Sequence, residues 1–245
     1  MKFEKTVKWL DKVLEPWKFD DVSNNGVQIG RSGDEVKTVA FAVDASVKSI
    51  RSASDVGAQM LVVHHGISWG GGIKRLTGGQ YDVVKTAMDG NLALYASHLP
   101  LDANAKVGNN VHLAREFALK NLQPAFSYHG NILGFTGIME SVAKLPGGGL
   151  ADRAEFREAL AATGKKKSLK IGVCSGGAGE FAVEAKALGC DLYVTGEASW
   201  ADVIAAENCG AAMVCLGHYE TEVFGVRALA GAMKRELEIR TVDLT

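Results

Sequence analysis

The sequence predicts an α/β fold built on largely parallel sheets, and three observations predict it. The first is a recurring unit. A helical stretch ends, a glycine follows, then a short apolar run, then polar residues. Gly57 precedes the run 60–63 and His64-His65, and Gly90 precedes 92–96 and Ser97-His98. Gly189 precedes 192–194 and Thr195-Gly196-Glu197, and Gly210 precedes 211–216 and Gly217-His218. Glycine is the favoured cap at a helix C-terminus, and strands alternating with helices argue parallel βαβ units. The second observation is a hydrophobic content of 47% over 245 residues, enough for a substantial core in one large or two small domains. The third is where the polar residues fall. Four of the 6 histidines stand directly after these apolar runs. If the strands are parallel, their C-terminal ends share one edge, where open α/β sheets bind ligands.

In chain order, residues 3–15 read as an amphipathic helix, with Phe3, Val7, Leu10 and Leu14 on one face. Pro16 limits its extension. Ser23-Asn24-Asn25-Gly26 is turn chemistry, weighted above a direct catalytic role, and Val27 and Ile29 suggest a short alternating strand. Residues 36–43 read as a strand ending at Asp44, after which Ser46 caps a helix carrying Val47 and Ile50. His112 falls in a helical stretch, 107–119, and His129 beside a loop; both read as structural or solvent-exposed rather than as ligands. Residues 132–139 are strand-like, interrupted by Gly134 and Gly137. Residues 144–149 form a Pro/Gly turn region, 152–162 a helix, and Lys165-Lys166-Lys167 a short basic loop that reads as solvated. A helix over 220–237 and a strand over 239–244 close the chain.

Composition narrows the function classes. Net charge is −1, from 27 basic and 28 acidic residues, and no basic tract argues for nucleic acid. The first residues lack the apolar core of a signal peptide. No apolar run approaches the ~20 residues that span a bilayer. Cys174, Cys190, Cys209 and Cys215 show no C-x-x-C spacing. A reduced, cytoplasmic protein without a membrane partner is expected.

The strand-end residues form a metal-ligating set. Successive side chains on a strand point to opposite faces. His64 and His65 therefore serve two ions, or one ion and one structural bond. His218 and Glu222 stand four apart, on one side of a helix start, where the helix dipole favours Glu222. Asp102 follows His98 by four residues. Three imidazoles with two carboxylates suit Zn, Mn, Fe, Co or Ni better than Ca or Mg. Glu222 or Asp102 can bridge two ions, which would share a water and turn it into a nucleophile. His98 and Glu197 are candidates for orienting the ligands from behind.

A competing motif lies at 173–182. Gly177-Ala178-Gly179-Glu180-Phe181-Ala182 follows a strand and precedes a helix, with Glu197 twenty residues past Gly177. That pattern resembles a dinucleotide fingerprint. Glu180 in the first helical turn would repel a pyrophosphate, so the glycines read first as a tight strand-to-helix turn and nucleotide binding there as the minority reading.

The ordered motifs S-N-N-G-V-Q-I-G, V-V-H-H-G, S-H-L-P-L-D, V-C-S-G-G-A-G, V-T-G-E and G-H-Y-E-T-E resemble those of the Nif-three-like dinuclear metal-centre family, the GTP cyclohydrolase I type 2 homologs. The resemblance spans residues 23 to 222. It implies two similar three-layer α/β lobes around mixed, largely parallel sheets, with a metal site in the cleft between them. The lobes would be 1–126 plus 216–245, and 127–215. It also implies a homohexameric ring and two divalent ions per subunit. By motif, His64 and His218 hold one ion, His65 and Asp102 the other, and Glu222 bridges both, with His98 and Glu197 nearby. Two departures stand out. Many relatives carry W-D-N-x-G where this chain has Val22-Ser23-Asn24-Asn25-Gly26. Some have a histidine shortly after T-G-E, where Ala198-Ser199-Trp200 follows here.

The resemblance implies a metal-dependent hydrolase using a metal-bridging water, on GTP or another nucleotide-like small molecule. The alternative is a non-catalytic metal-binding ring scaffold or regulator that recruits protein partners. Dinucleotide binding at Gly176–Gly179 is a third reading.

Overall fold

Two five-stranded sheets organise the protein, a computed structural model that describes residues 1–30, 35–141, 145, 147–164 and 167–245. Lys144 and Pro146 of the expected turn region lie outside the described residues, as do Lys165 and Lys166 of the expected basic loop. Contacts divide the chain into two compact units, residues 1–108 with 225–245, and residues 109–224. Among the described residues no helix is long and apolar enough to cross a membrane.

In the first unit the strands are β1 (Gly26–Ile29), β2 (Thr38–Asp44), β3 (Met60–His65), β4 (Ala93–Ala96) and β10 (Arg240–Asp243), in the spatial order β1-β4-β3-β2-β10. All neighbours are parallel except β1, which pairs antiparallel with β4 at the sheet's edge. Residues 39–43 and 60–64 are buried without interruption. A parallel strand covered on both faces must be apolar on both, and this is why these segments read as continuous runs rather than as alternation. On one face Ala40, Ala42, Leu61, Val63, Leu94 and Ala96 form a core with Ile50 and Ala53 of α2 (Val47–Asp55) and Ala87 of α3 (Gly78–Asp89). α2 starts in a capping box: the Ser46 hydroxyl accepts from the Ser49 amide and the Ser49 hydroxyl accepts from the Ser46 amide. α1 (Phe3–Leu14) buries Phe3, Leu10 and Leu14 of the face expected from its periodicity, whereas Val7 is half-buried and Thr6 is buried beside it. One cap differs from expectation. Gly90 has φ −78°, and Asn91 takes the left-handed turn at φ +48°. Gly90 is needed for space, because a Cβ there would collide with the Ser54 hydroxyl.

In the second unit the order is β5 (Lys120–Tyr128), β6 (Asn131–Met139), β7 (Leu169–Cys174), β8 (Leu192–Thr195), β9 (Met213–Cys215). β7, β8 and β9 are parallel, whereas β5, β6 and β7 are antiparallel. β5 is an edge strand that the sequence reading lacked. Its residues are mostly exposed, with Pro124 among them, so it carries neither an apolar run nor clean alternation; proline is tolerated there because an edge need not donate. It joins β6 through His129-Gly130, both at positive φ (+48° and +79°), as a two-residue hairpin loop requires. Residues 109–128 belong with this unit by contact: β5 pairs with β6, and Asn110 of α5 (Asn109–Glu116) accepts a hydrogen bond from the Ser175 amide at 2.6 Å. The other division, expected at 215/216, falls within α9 (His218–Leu237), between 224 and 225. α9 starts two residues before the expected Glu220, at His218 itself.

Phe126 is the centre of one packing cluster in this unit. Its ring sits 5.1 Å from Tyr193 and 5.7 Å from Phe181. A Cβ on Gly134 or Gly172 would press into it, at 2.7 and 2.8 Å, so glycines in β6 and β7 make the pit that the ring fills. Replacing Phe126 with Ala empties this pit. It should lower the unfolding free energy by about 3–5 kcal/mol, read from the shift of the urea midpoint.

Candidate metal centre

In the first unit three imidazoles gather at the C-terminal edge of the sheet. His64 and His65 are the last two residues of β3, and His98 follows β4. Because β3 and β4 are parallel neighbours, their ends coincide: Val63 faces Ala96, and the Ser97 amide donates to the Val63 carbonyl at 2.9 Å. Ring centroids lie 4.6 Å apart for His64 and His65, 5.2 Å for His64 and His98, and 5.8 Å for His65 and His98. One nitrogen of each of the three rings lies within 4.8 Å of the others.

Each ring has its Nδ1 committed. His64, fully buried, donates Nδ1–H to the Ser97 carbonyl at 2.9 Å. A carbonyl only accepts, so this bond keeps a proton on Nδ1, and the neutral ring has its lone pair on Nε2 for a ligand role. His65 Nδ1 lies 2.8 Å from Asp44 Oδ1, and His98 Nδ1 lies 2.9 Å from Asp21 Oδ1. Imidazole backed by carboxylate or carbonyl is the arrangement that orients metal-binding histidines. The donor set thus fits divalent transition ions. Asp102, buried at the end of α4 (Leu99–Asp102), places Oδ2 3.6 Å from His64 Nε2.

Asp21 anchors the loop. Its carboxylate accepts from the Ser23 amide, His98 Nδ1, Asn25 Nδ2 and the Leu99 amide at 2.8–3.0 Å. Burial by itself would raise its pKa, but the bond to His98, that ring's charge, and the bonds from Asn25 and Ser23 outweigh it and hold Asp21 at about 2. Asn25 Oδ1 also accepts from the His98 amide at 2.7 Å. The Ser23–Gly26 segment, read from sequence as a turn, therefore also positions His98. Asp21 was missed in the sequence, and Asp44 was read only as a strand end. Asp44 obeys the strand-end rule that picks out the histidines; Asp21 carries no local signal at all.

In the second unit His218, the first residue of α9, lies between two carboxylates. Its Nδ1 is 3.1 Å from Glu197 Oε1, and its Nε2 is 3.2 Å from Glu222 Oε1. Glu222 is buried, while Glu197 is exposed. The bond to Glu222 raises the His218 pKa most; burial opposes it, and the charge of Glu222 and the contact with Glu197 add to it, bringing it to about 9. The glycine loop after β7 accommodates this set. Gly176 has φ +68°, and a Cβ there would collide with Glu222 Oε1 and come 3.3 Å from His218 Nε2. Its carbonyl accepts from the Gly196 and Glu197 amides at 3.0 and 2.9 Å. A Cβ on Gly179 would meet Ala198 at 2.5 Å. These close approaches account for Gly179 of the dinucleotide-like motif and for Gly176 beside it without a pyrophosphate; at Gly177 a Cβ would meet nothing nearer than Glu197 Oε1 at 3.4 Å.

Three comparisons place the chain among known proteins. The Duf34/NIF3 (NGG1p interacting factor 3) family model matches residues 1–245. A Pyrococcus horikoshii protein named GTP cyclohydrolase 1 type 2 homolog is 39% identical over 243 residues, covering 98% of this chain and 96% of its own. A protein of the same name from Archaeoglobus fulgidus is 39% identical over 245 residues, covering 100% and 98%. Among solved structures, reduced HcgD from Methanocaldococcus jannaschii aligns with a TM-score of 0.79 at 25% identity, over 100% of this chain and 98% of its own. A Thermus thermophilus protein aligns at 0.77 with 28% identity, over 100% and 98%.

The raised pKa of His218 has a signed consequence for metal-free protein. The stabilisation from its carboxylates is complete below about pH 6.5, the unfolded value, and is lost as pH rises through about 9. NMR titration should give His218 a midpoint near 9, and Glu222→Gln should move it back towards the ordinary histidine value of about 6.5.

Proposed function

The chain belongs to the Duf34/NIF3 family, and on that premise we propose that it is a dinuclear-metal hydrolase acting on a nucleotide-like substrate. The observation that carries this reading is the commitment of three Nδ1 atoms at His64, His65 and His98, an arrangement that ordinary packing does not require. The ligand division follows the motif resemblance: His64 and His218 on one ion, His65 and Asp102 on the other, Glu222 shared. Zn, Mn, Fe, Co or Ni suits such a donor set. Bound divalent ions would supply Lewis acidity and bring the pKa of water towards neutrality. The chain's own groups do the remaining work. Ser97, Asp44 and Asp21 hold the imidazoles in orientation. Glu197, exposed beside His218, is placed to carry a proton. GTP is the substrate class to which the relatives' shared name points. The working form is proposed to be a homohexameric ring.

A second reading takes its support from the family's own description as an interacting factor. In it the centre is structural and the ring recruits protein partners.

Two measurements separate these readings. GTP hydrolysis with added Mn or Zn should fall at least about 100-fold in His65→Ala, on the order of the largest losses that disturbed metal sites show; equal activity in both proteins would remove the hydrolase reading and favour the scaffold. Asp44→Ala frees the His65 ring while leaving the donor atoms in place, so metal affinity should drop about 10–100-fold in chelator competition, with the far-UV circular dichroism spectrum unchanged.

A further inference from the structure

Beside the imidazoles stands an indole that takes no part in holding them. The Trp69 ring centroid lies 5.1 Å from that of His98, at an interplanar angle of 74°, and 6.1 Å from that of His65, at 41°. Its position is fixed. Nε1 donates to the Gly66 carbonyl at 3.0 Å, its backbone bridges to Ser23, and the next amide, Gly70, donates to the Val22 carbonyl at 2.6 Å. Asn24 ties the preceding residue, its amide donating to the Ser68 carbonyl at 3.0 Å and its Nδ2 to the Ser68 hydroxyl at 2.8 Å. Yet Trp69 remains 38% exposed.

A rigid indole whose one polar atom is already spent offers only apolar ring surface. Uncovered aromatic surface beside a convergent polar cluster is the composition of a ligand site. An indole face suits either an organic cation or a flat neutral ring. The divalent ions of the centre proposed above would repel a cation, which leaves the flat ring. We propose that Trp69 is a stacking platform that selects a flat heterocycle, a nucleobase or a ring like it, for the site at His64, His65 and His98. This inference rests on the hydrolase reading and deepens it: recognition lies in the ring, and not only in phosphate groups that any cationic centre attracts.

The test compares two probes on metal-replete protein by equilibrium dialysis: GTP, which carries a base, and tripolyphosphate, which does not. Trp69→Leu should weaken GTP binding about tenfold, as loss of one base–aromatic stack does, and leave tripolyphosphate binding unchanged. Trp69→Phe, which keeps an aromatic face and guards against a folding defect in the leucine variant, should recover most of the GTP affinity. Unaltered GTP affinity in Trp69→Leu overturns the proposal. So does an equal loss for both probes, or a wild type that binds GTP no better than tripolyphosphate. Elemental analysis of each sample separates the two readings: a wild type without metal that still prefers GTP through Trp69 defeats the dinuclear centre and supports the platform.

Discussion

His64 has one Nδ1–H to give, and the Ser97 carbonyl takes it. The ring is wholly buried, so an unspent donor there would cost roughly 1–3 kcal/mol. The bond exists because β3 and β4 run parallel in register and the chain leaves β4 at Ser97, beside the end of β3. Its effect is chemical as well as structural. With a proton held on Nδ1, the neutral ring carries its lone pair on Nε2. His65 and His98 repeat the device with carboxylates from Asp44 and Asp21. The first unit thus presents three oriented imidazoles, each fixed by an acceptor from a different segment of the chain.

The second unit reaches an electrostatically different result with similar parts. His218 also follows a parallel strand, but carboxylates stand against both of its ring nitrogens. Two acceptors favour the doubly protonated ring, hence a pKa of about 9. Holding Glu222 close requires a loop with no side chain in the way, and Gly176 provides it. The glycine beside a motif that resembles a phosphate-binding turn is thereby accounted for by the space that a buried carboxylate needs. Motif and role separate here because glycine answers to any close approach, whatever makes it.

The strands and the strand-end residues were readable from sequence for a specific reason. Parallel strands buried on both faces demand unbroken apolar runs, as in 60–63, and whatever polar residue ends such a run stands at the sheet's edge. His64, His65, His98, Glu197 and His218 all sit at such ends. β5 escaped because an exposed edge strand is released from that demand. β5 ties residues 120–128 to the second sheet.

The chain by itself therefore determined the α/β class, most of the strands and the residue types at their ends. These follow from local periodicity and from glycine and serine at helix ends, which neighbouring residues decide among themselves. Tertiary structure alone decided which acceptor meets which imidazole. Asp21 and His98 are 77 positions apart, and Asp44 and His65 are 21 apart. No local pattern encodes such pairings, because a hydrogen bond depends on where folding brings two atoms and not on their spacing along the chain. The exposure of Trp69 beside the rings has the same origin.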